Sequence, residues 1–384
     1  MGQRFRFAII SDPHIAQSET IYNGPNRFHL VEVSIPGIEQ IFDHLETLDL
    51  DFLLLPGDLT QHGEWVNHRW LIDRLKRLPF PVYVVPGNHD VIARDASDRA
   101  IGLHDFPRLY QDFGYSDGKT LHYQHEILPG VRLVALNSNA FEPSGEQIRV
   151  GYVDQAQLDW LEETLVRYRD DLILVMLHHN VLEHLPGQSN SPLGQRYMVS
   201  NASEIIRRLQ AAGVRLMFTG HLHVQDVARQ GDLYEVLTGS LVSYPHPYRI
   251  VEIEHGDSAL RVEVRSRRLT AVHPWDDLQA MSHQWMCDRA EGFMTKFLTS
   301  PPIGLAEHEA AAIAPTLKDF WASIAAGDPQ IDFSHLPPEV QTRLAHFNSV
   351  DGEGNPLAID NTATLVWSGD ATPSPDHSST HSST

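Results

Sequence analysis

Seven residues with metal-type donors stand just behind short apolar runs. Asp12 and His14 follow Phe5 to Ile10, and Asp58 follows Phe52 to Leu55. Asn88 follows Val82 to Val85, inside a GlyAsnHisAsp stretch that also carries His89 and Asp90. His178, with His179 beside it, follows Leu172 to Leu177, and His221 and His223 follow Val214 to Phe218. Any one of these is as ordinary as a strand-end cap or a turn residue. Their recurrence behind five separate runs is not, because ligands of open α/β sheets collect outside the carboxyl ends of the strands. Imidazole mixed with carboxylate and amide oxygen favours Mn, Fe, Zn or Co over Mg or Ca. Seven donors are too many for one tetrahedral ion and suit two ions sharing a bridging carboxylate. In an extended backbone Asp12 and His14 point to the same side, and His221 and His223 repeat the relation.

The elements that must carry these residues read as a βαβαβ pattern. The three-and-four spacing of Ile38, Ile41, Phe42 and Leu45 predicts one helix, and Trp65, Trp70, Leu71 and Leu75 predict the next. Further strands are expected at Leu121 to His125 and Val131 to Leu136, with a turn at Pro129 and Gly130. Helices are expected over Gln155 to Tyr168 and Ser203 to Ala212, the latter ended by Gly213. Segments near Tyr234 to Leu237, Arg249 to Ile253 and Leu260 to Val264 alternate enough to suggest an antiparallel second sheet. The fold class is therefore α/β (α+β), two packed mixed β-sheets flanked by helices.

Beyond Leu269 the pattern turns helical, with Trp285, Phe293, Phe297, Phe320 and Trp321 making faces too apolar for solvent. They are expected to pack on the core, on one another or on a second subunit, which makes the C-terminal helices the homodimer candidate. The chain thus divides into a core over 1–268, a helical extension over 269–360 and a disordered tail over 361–384. AspGlyGluGlyAsn at Asp351 lacks the glycine position and terminal Glu of a calcium loop and reads as a turn.

A formal charge of −21 over 384 residues argues against a protein that wraps phosphate backbones, so no nucleic-acid partner is expected. The same charge repels small anions unless bound cations reverse the local potential. No apolar run approaches the ~20 residues of a membrane helix, and Arg6 stands where a myristoylation motif needs Ser or Thr. The one cysteine, Cys287, excludes an intrachain disulfide and fits a reducing, cytoplasmic setting.

AspProHis at Asp12, GlyAsp at Gly57, GlyAsnHisAsp at Gly87, HisHis at His178 and GlyHisLeuHis at Gly220 together resemble the calcineurin-like metallophosphoesterases. The likeness runs over about residues 5 to 265, with the blocks in family order. Within that superfamily it looks most like the bacterial class III cyclic-nucleotide phosphodiesterases. The resemblance implies one metal on Asp12, His14, Asp58 and His223, and a second on Asp58, Asn88, His178 and His221, with Asp58 bridging. It implies two divalent or mixed-valence transition metals and attack on phosphorus by a hydroxide they acidify. His89 is then left as outer-shell acid and clamp, with Asp90 fixing its orientation. Only the family match favours His178 over His179. Two departures are Asn180, where the family often has proline, and Asn137, near which it often has Asp.

The substrate implied is a small phosphodiester, 3′,5′-cyclic nucleotides included. Alternatives are a phosphomonoesterase or nucleotide pyrophosphatase on the same site, and a catalytically silent metal-binding scaffold. His29, His62 and Arg27 read first as surface or satisfied residues and stand outside the expected site.

Overall fold

The computed structural model describes residues 2–22, 24, 27–256 and 259–368. The strands are β1 (Gln3–Ile9), β2 (Phe52–Leu55), β3 (Val82–Val84), β4 (Tyr123–Leu128), β5 (Val131–Ala135), the short β6 (Ala140–Phe141) and β7 (Gln147–Ile148), β8 (Leu172–Met176), β9 (Leu216–Thr219), β10 (Asp226–Gln230), β11 (Leu233–Leu237), β12 (Pro247–His255), β13 (Ala259–Arg268) and β14 (Thr362–Ser368). The helices are α1 (Ser34–Leu45), α2 (Trp65–Leu75), α3 (Phe106–Leu109), α4 (Gln155–Arg167), α5 (Pro192–Gln195), α6 (Ala202–Ala211), α7 (Leu278–Thr299), α8 (Glu307–Ile313), α9 (Phe320–Ala326) and α10 (Pro338–Ala345).

Two six-stranded mixed sheets face each other, ordered β14-β13-β12-β1-β2-β3 and β10-β11-β9-β8-β5-β4. β1, β2 and β3 run parallel in the first, and β5, β8, β9 and β11 run parallel in the second. Each sheet therefore sends a set of carboxyl ends to one rim. Phe7 of β1 stacks on Phe52 of β2 at 4.6 Å and meets Phe218 of β9 edge-on at 5.4 Å, so a single ring touches both sheets. Leu174 and Met176 of β8 join this inter-sheet core, while Ile173 and Val175 pack with Leu158, Leu161, Ile205 and Leu209 of α4 and α6. Burial on both faces explains why β8 reads as an unbroken apolar run.

The late strands sort differently from the sequence expectation. β11 lies in the second sheet, parallel to β9, whereas β12 and β13 pair antiparallel with the first sheet through β1. All of them alternate, and alternation fixes which face is buried without saying which neighbour a strand pairs with. The tail expected from 361 also starts too early. Thr362–Ser368 is an edge strand on β13 that buries Ala363, Leu365 and Trp367, and residues 369–384 lie outside the described ones.

The C-terminal helices close over the loop behind β9. Met286, Met294, Phe297, Phe320, Ile324, Val340 and Leu344 form one cluster with Leu222, Val224 and Leu237 of the core. Phe293 and Trp321 pack against this cluster, and Trp285 packs on the inter-sheet core. Of the three expected destinations, these rings take the core and one another. Asp351 sits in a turn, its carboxylate accepting the Glu353 and Asn355 N–H groups at 2.9 Å each.

A buried ionic knot anchors the loop behind β8. Glu235 of β11 accepts the Leu182 N–H and the Thr219 hydroxyl at 2.6 Å each, and His184 lies between Asp226 (2.5 Å) and Glu235 (3.3 Å). Burial pushes the His184 imidazole down, but Glu235 and Asp226 outweigh it and lift it to about 10. Because the folded value is the higher one, the stability this group adds is complete below the ~6.5 of an unfolded histidine. It is lost as pH rises through about 10. Denaturant unfolding is expected to show a weaker fold at pH 10 than at pH 7, with His184→Gln shrinking the difference. His184→Ala, which strands a buried carboxylate, is expected to cost on the order of 3 kcal/mol.

Candidate metal centre

Backbone hydrogen bonds zip the loops behind the strands together. Asp12 N bonds Gly57 O at 3.2 Å, His14 N bonds Asp58 O at 2.9 Å and Ile15 N bonds Leu59 O at 2.9 Å, extending the β1–β2 pairing into the loops. Gly220 N bonds His178 O at 3.1 Å, and the Asn180 side chain donates to Gly220 O at 3.0 Å. The departure at Asn180 thus crosslinks the loops behind β8 and β9. Asn137 and Asn139 form a second crosslink: Asn139 N donates to Asn137 Oδ1 at 3.1 Å, and Asn139 Nδ2 donates to Gly87 O at 2.9 Å. The loops from the two sheets meet where His221 N donates to Asp12 Oδ2 at 3.1 Å.

All seven expected donors converge there, but not by the extended geometry the spacing suggests. Asp12, His14, Asp58, His221 and His223 have φ of 48°, 41°, 50°, 73° and 61°. These are left-handed conformations that cost non-glycine residues of order 1 kcal/mol or more each. Among the described residues only His246 and Asp328 share this non-glycine strain. The alternation argument fails because each pair sits in a tight turn and not on a strand. Two glycines make the crowding tolerable. A Cβ on Gly87 would lie 2.2 Å from Asp58 N and Oδ1, and one on Gly220 would lie 2.1 Å from Ser11 Oγ.

The donors fall into two groups that share one carboxylate. Asp12, His14, Asp58 and His223 offer ligand atoms within 4.8 Å of one another, and so do Asp58, His178 and His221. Asp58 Oδ1 accepts the His89 backbone N–H at 2.7 Å, whereas Oδ2 is buried without a hydrogen-bond donor among the described residues. His178 Nδ1 faces Pro56 O at 2.8 Å, so Nδ1–H donates there, and Nε2 faces Asp58 Oδ2 and Asn88 Oδ1, both at 3.3 Å. His14 Nε2 faces His223 Nε2 at 3.4 Å, with Asp12 Oδ1 at 3.1 Å from the latter. Carboxylate, amide oxygen and imidazole nitrogen so gathered leave room for a proton or a cation between them, and this donor set fits two cations.

The electrostatics agree. Burial raises Asp58, yet His178, His89 and His14 outweigh it and hold the carboxyl well below its ordinary range. Burial, reinforced by neighbouring imidazoles, pushes His14, His29 and His221 well down. Burial lowers His178 too, but Asp58 overcomes it and lifts the ring to about 9, so a proton serves there when no cation does. Ionised carboxylate and neutral imidazole are the forms that bind metal.

Four other residues need separate treatment. His179 turns away from Asp58, its Nδ1 2.8 Å from Ser138 Oγ, and burial pushes it down to about 3. His89 enters the centre beside His14, with ring centroids 4.7 Å apart, and its Nδ1–H donates to Gln61 O at 2.7 Å. His29 sits over His14 and His223 at 4.6 and 4.5 Å, and His62 stacks on His89 at 5.4 Å. Both stand outside the site expected from the sequence, and the signal for them is the long histidine-bearing loop after β1 together with the position of His62 four residues past Asp58.

The expectation that Asp90 orients His89 is corrected. Its carboxylate accepts from Gly87 N (2.9 Å), Leu59 N (3.0 Å) and Thr60 N (2.8 Å), tying the loops behind β2 and β3, while Gln61 O holds His89. Being next in sequence did not bring the two side chains together, because the turn at 88–90 sends them to opposite sides. Asp90→Ala leaves buried N–H groups unpaired and is expected to lower unfolding stability by about 3 kcal/mol, read by denaturant titration.

The centre floors a cleft of about 690 Å³. Its walls include Phe28, Arg149, Arg196 and Tyr197 of the core and Met286, Phe293 and Trp321 of the C-terminal helices.

A sequence profile described as Calcineurin-like phosphoesterase matches residues 5–225. The chain is 24% identical over 272 residues to the 3′,5′-cyclic adenosine monophosphate phosphodiesterase CpdA of Haemophilus influenzae, covering 67% of this chain and 88% of that protein. It is 26% identical over 193 residues to a 3′,5′-cyclic-nucleotide phosphodiesterase of Nostoc sp., covering 50% and 62% respectively. With a probable glycerophosphodiester phosphodiesterase of Arcobacter nitrofigilis it shares 24% over 178 residues, 45% of this chain and 56% of the relative. A dimetal phosphatase from Danio rerio superposes with a TM-score of 0.51 at 16% identity over 69% of this chain and 96% of that one, a likeness of fold. Since the matched profile spans more than half of the chain and every strand end that bears a donor, the chain belongs to the calcineurin-like phosphoesterase family, whose members are built around a dinuclear metal centre.

Proposed function

We propose that this chain is a phosphodiesterase for small phosphodiesters, with 3′,5′-cyclic nucleotides foremost. The observation that carries the reading is the shared carboxylate: two donor groups meet at Asp58 on the floor of a 690 Å³ cleft, a size that suits a small molecule. The phosphodiesterase relatives support the diester. Phe28, Tyr197, Phe293 and Trp321 on the walls supply flat apolar surface suited to a base or similar ring.

In this reading Asp12, His14, Asp58 and His223 hold one metal and Asp58, Asn88, His178 and His221 the other. The nitrogen and oxygen donors favour Mn, Fe, Zn or Co. Two such ions supply charge neutralisation at phosphorus and an acidified water. Gln61 O accepts a hydrogen bond from the Nδ1–H of His89, so the ring meets the substrate through Nε2. Protonated there, it stabilises the phosphoryl oxygens and hands a proton to the departing alkoxide. His29 and His62 flank it as further phosphate contacts. The helical extension over 269–360 acts as the cap that shapes substrate choice, and a homodimer through it would use faces other than the rings already packed. No helix among the described residues is long and apolar enough to cross a membrane. A single cysteine fits a cytoplasmic setting.

A second reading has its own observation. Arg149 and Arg196 line the cleft and have no carboxylate partner within 4.0 Å among the described residues, so a substrate with a second anionic group, such as a nucleotide pyrophosphate, also fits. Hydrolysis rates for cyclic AMP, bis-para-nitrophenyl phosphate, para-nitrophenyl phosphate and a dinucleotide pyrophosphate separate the readings. Cyclic AMP and the diester are expected to turn over fastest, and a faster monoester or pyrophosphate would overturn the proposal.

Two variants follow from the roles assigned. Asp58→Ala is expected to abolish activity and to lower bound metal from two ions to one or none, since the bridge is gone; full metal content by elemental analysis would remove Asp58 from that role. His89→Ala is expected to keep both metals yet lose about two to four orders of magnitude in turnover on cyclic AMP. The loss should be smaller for a para-nitrophenolate leaving group, which departs without a proton. Equal losses across leaving groups of rising pKa would leave His89 as a clamp only.

A further inference from the structure

His283, Cys287 and Asp319 form a second metal-type cluster, away from the seven donors of the cleft floor. His283 and Cys287 are four residues apart on α7 and so share one face. Asp319 immediately precedes α9 and faces them. The Cys287 sulfur lies 3.2 Å from Asp319 Oδ1 and 3.9 Å from His283 Nε2, and Nε2 lies 3.7 Å from the same oxygen. A tetrahedral ion with a metal–sulfur distance of about 2.3 Å and metal–nitrogen or –oxygen distances of about 2.0–2.1 Å holds its donors about 3.3–3.6 Å apart. The triangle therefore needs shifts of only a few tenths of an ångström. Cys287 is buried, His283 half-buried, and the Asp319 side chain more than half exposed, which leaves a path for an ion to enter from solvent.

We propose that these three side chains bind one divalent cation of the zinc class, with water completing the tetrahedron. Thiolate, imidazole and carboxylate together suit such an ion. With no cation present, burial, then the hydrogen bond the thiol donates to Asp319 and the repulsion between thiolate and carboxylate push the thiol up to about 12. Binding releases that proton to solvent and forms the metal–sulfur bond in its place. The site would clip α7 to the start of α9, and those helices present Met286, Phe293 and Trp321 to the cleft. A cation there sets the spacing of the cleft's apolar wall without touching the reacting phosphorus.

Cobalt(II) titration of the full chain, stripped of metal beforehand, tests this apart from the dinuclear centre. Cys287 is the one cysteine in the sequence and the seven cleft donors contain no sulfur, so a near-ultraviolet sulfur-to-cobalt charge-transfer band reports on this cluster alone. The band is expected to level off at one thiolate–cobalt bond per chain by about three added equivalents, the other two ions going to the dinuclear centre. Cys287→Ser should abolish it and lower total bound cobalt by one ion, leaving the visible absorption of the other ions. His283→Asn and Asp319→Asn should each weaken the band and raise the cobalt concentration needed to reach it. No band at saturating cobalt overturns the proposal. So does a band that both of those variants leave unchanged, which would be thiol binding without the cluster. Circular dichroism shows whether each variant is folded, and Asp319→Asn, at an exposed carboxylate, carries the test if Cys287→Ser is not.

Discussion

Asp58 is asked to do two incompatible things with one carboxylate, and the architecture around it follows from that. Oδ1 holds the fold by accepting the His89 backbone N–H, and Oδ2 is left buried among imidazoles with no hydrogen-bond partner among the described residues. A buried carboxylate in that state is costly unless opposite charge is near. His178 supplies it in the absence of metal, and a pair of cations supplies it better. Gly87 stands beside Asp58 because a side chain there would fill the space its carboxylate needs, and Gly57 because one there would run into the His178 ring.

Holding such a group in place requires loops that do not relax. The strained turns at Asp12, His14, Asp58, His221 and His223 are over-determined by the backbone zipper to neighbouring loops and by Asp90, whose carboxylate gathers three N–H groups from two of them. The two sheets supply the rigid base, with Phe7 packed against both. The C-terminal helices then bury Leu222, which lies between His221 and His223, so the fifth donor loop is gripped from outside as well.

Much of this is legible in the chain. Donors behind apolar runs give the strand ends, because a strand buried on both faces writes itself as an apolar run and its polar sequel must be a loop. Other features are not local and could not be read. β12 and β13 alternate like any half-buried strands, and the place of the pair in the first sheet depends on β1, over two hundred residues away from β12. Thr362–Ser368 borders a Ser- and Pro-rich tail, yet Leu365 and Trp367 are what pin it to β13. Asp90 and His89 are adjacent in sequence and diverge in space, while His29 and His62 look like surface histidines until the loops that carry them fold over the centre. Donor positions that follow strand ends are legible in the sequence, and side-chain directions that a turn decides are not.

The central claim is that two ions share Asp58, and magnetic coupling tests it most directly. Electron paramagnetic resonance of the chain loaded with two equivalents of manganese(II) should show the multiline spectrum of an exchange-coupled pair, since one bridging carboxylate brings two such ions to ~3.5–4 Å. Only the six-line signal of isolated manganese at full loading would contradict the account.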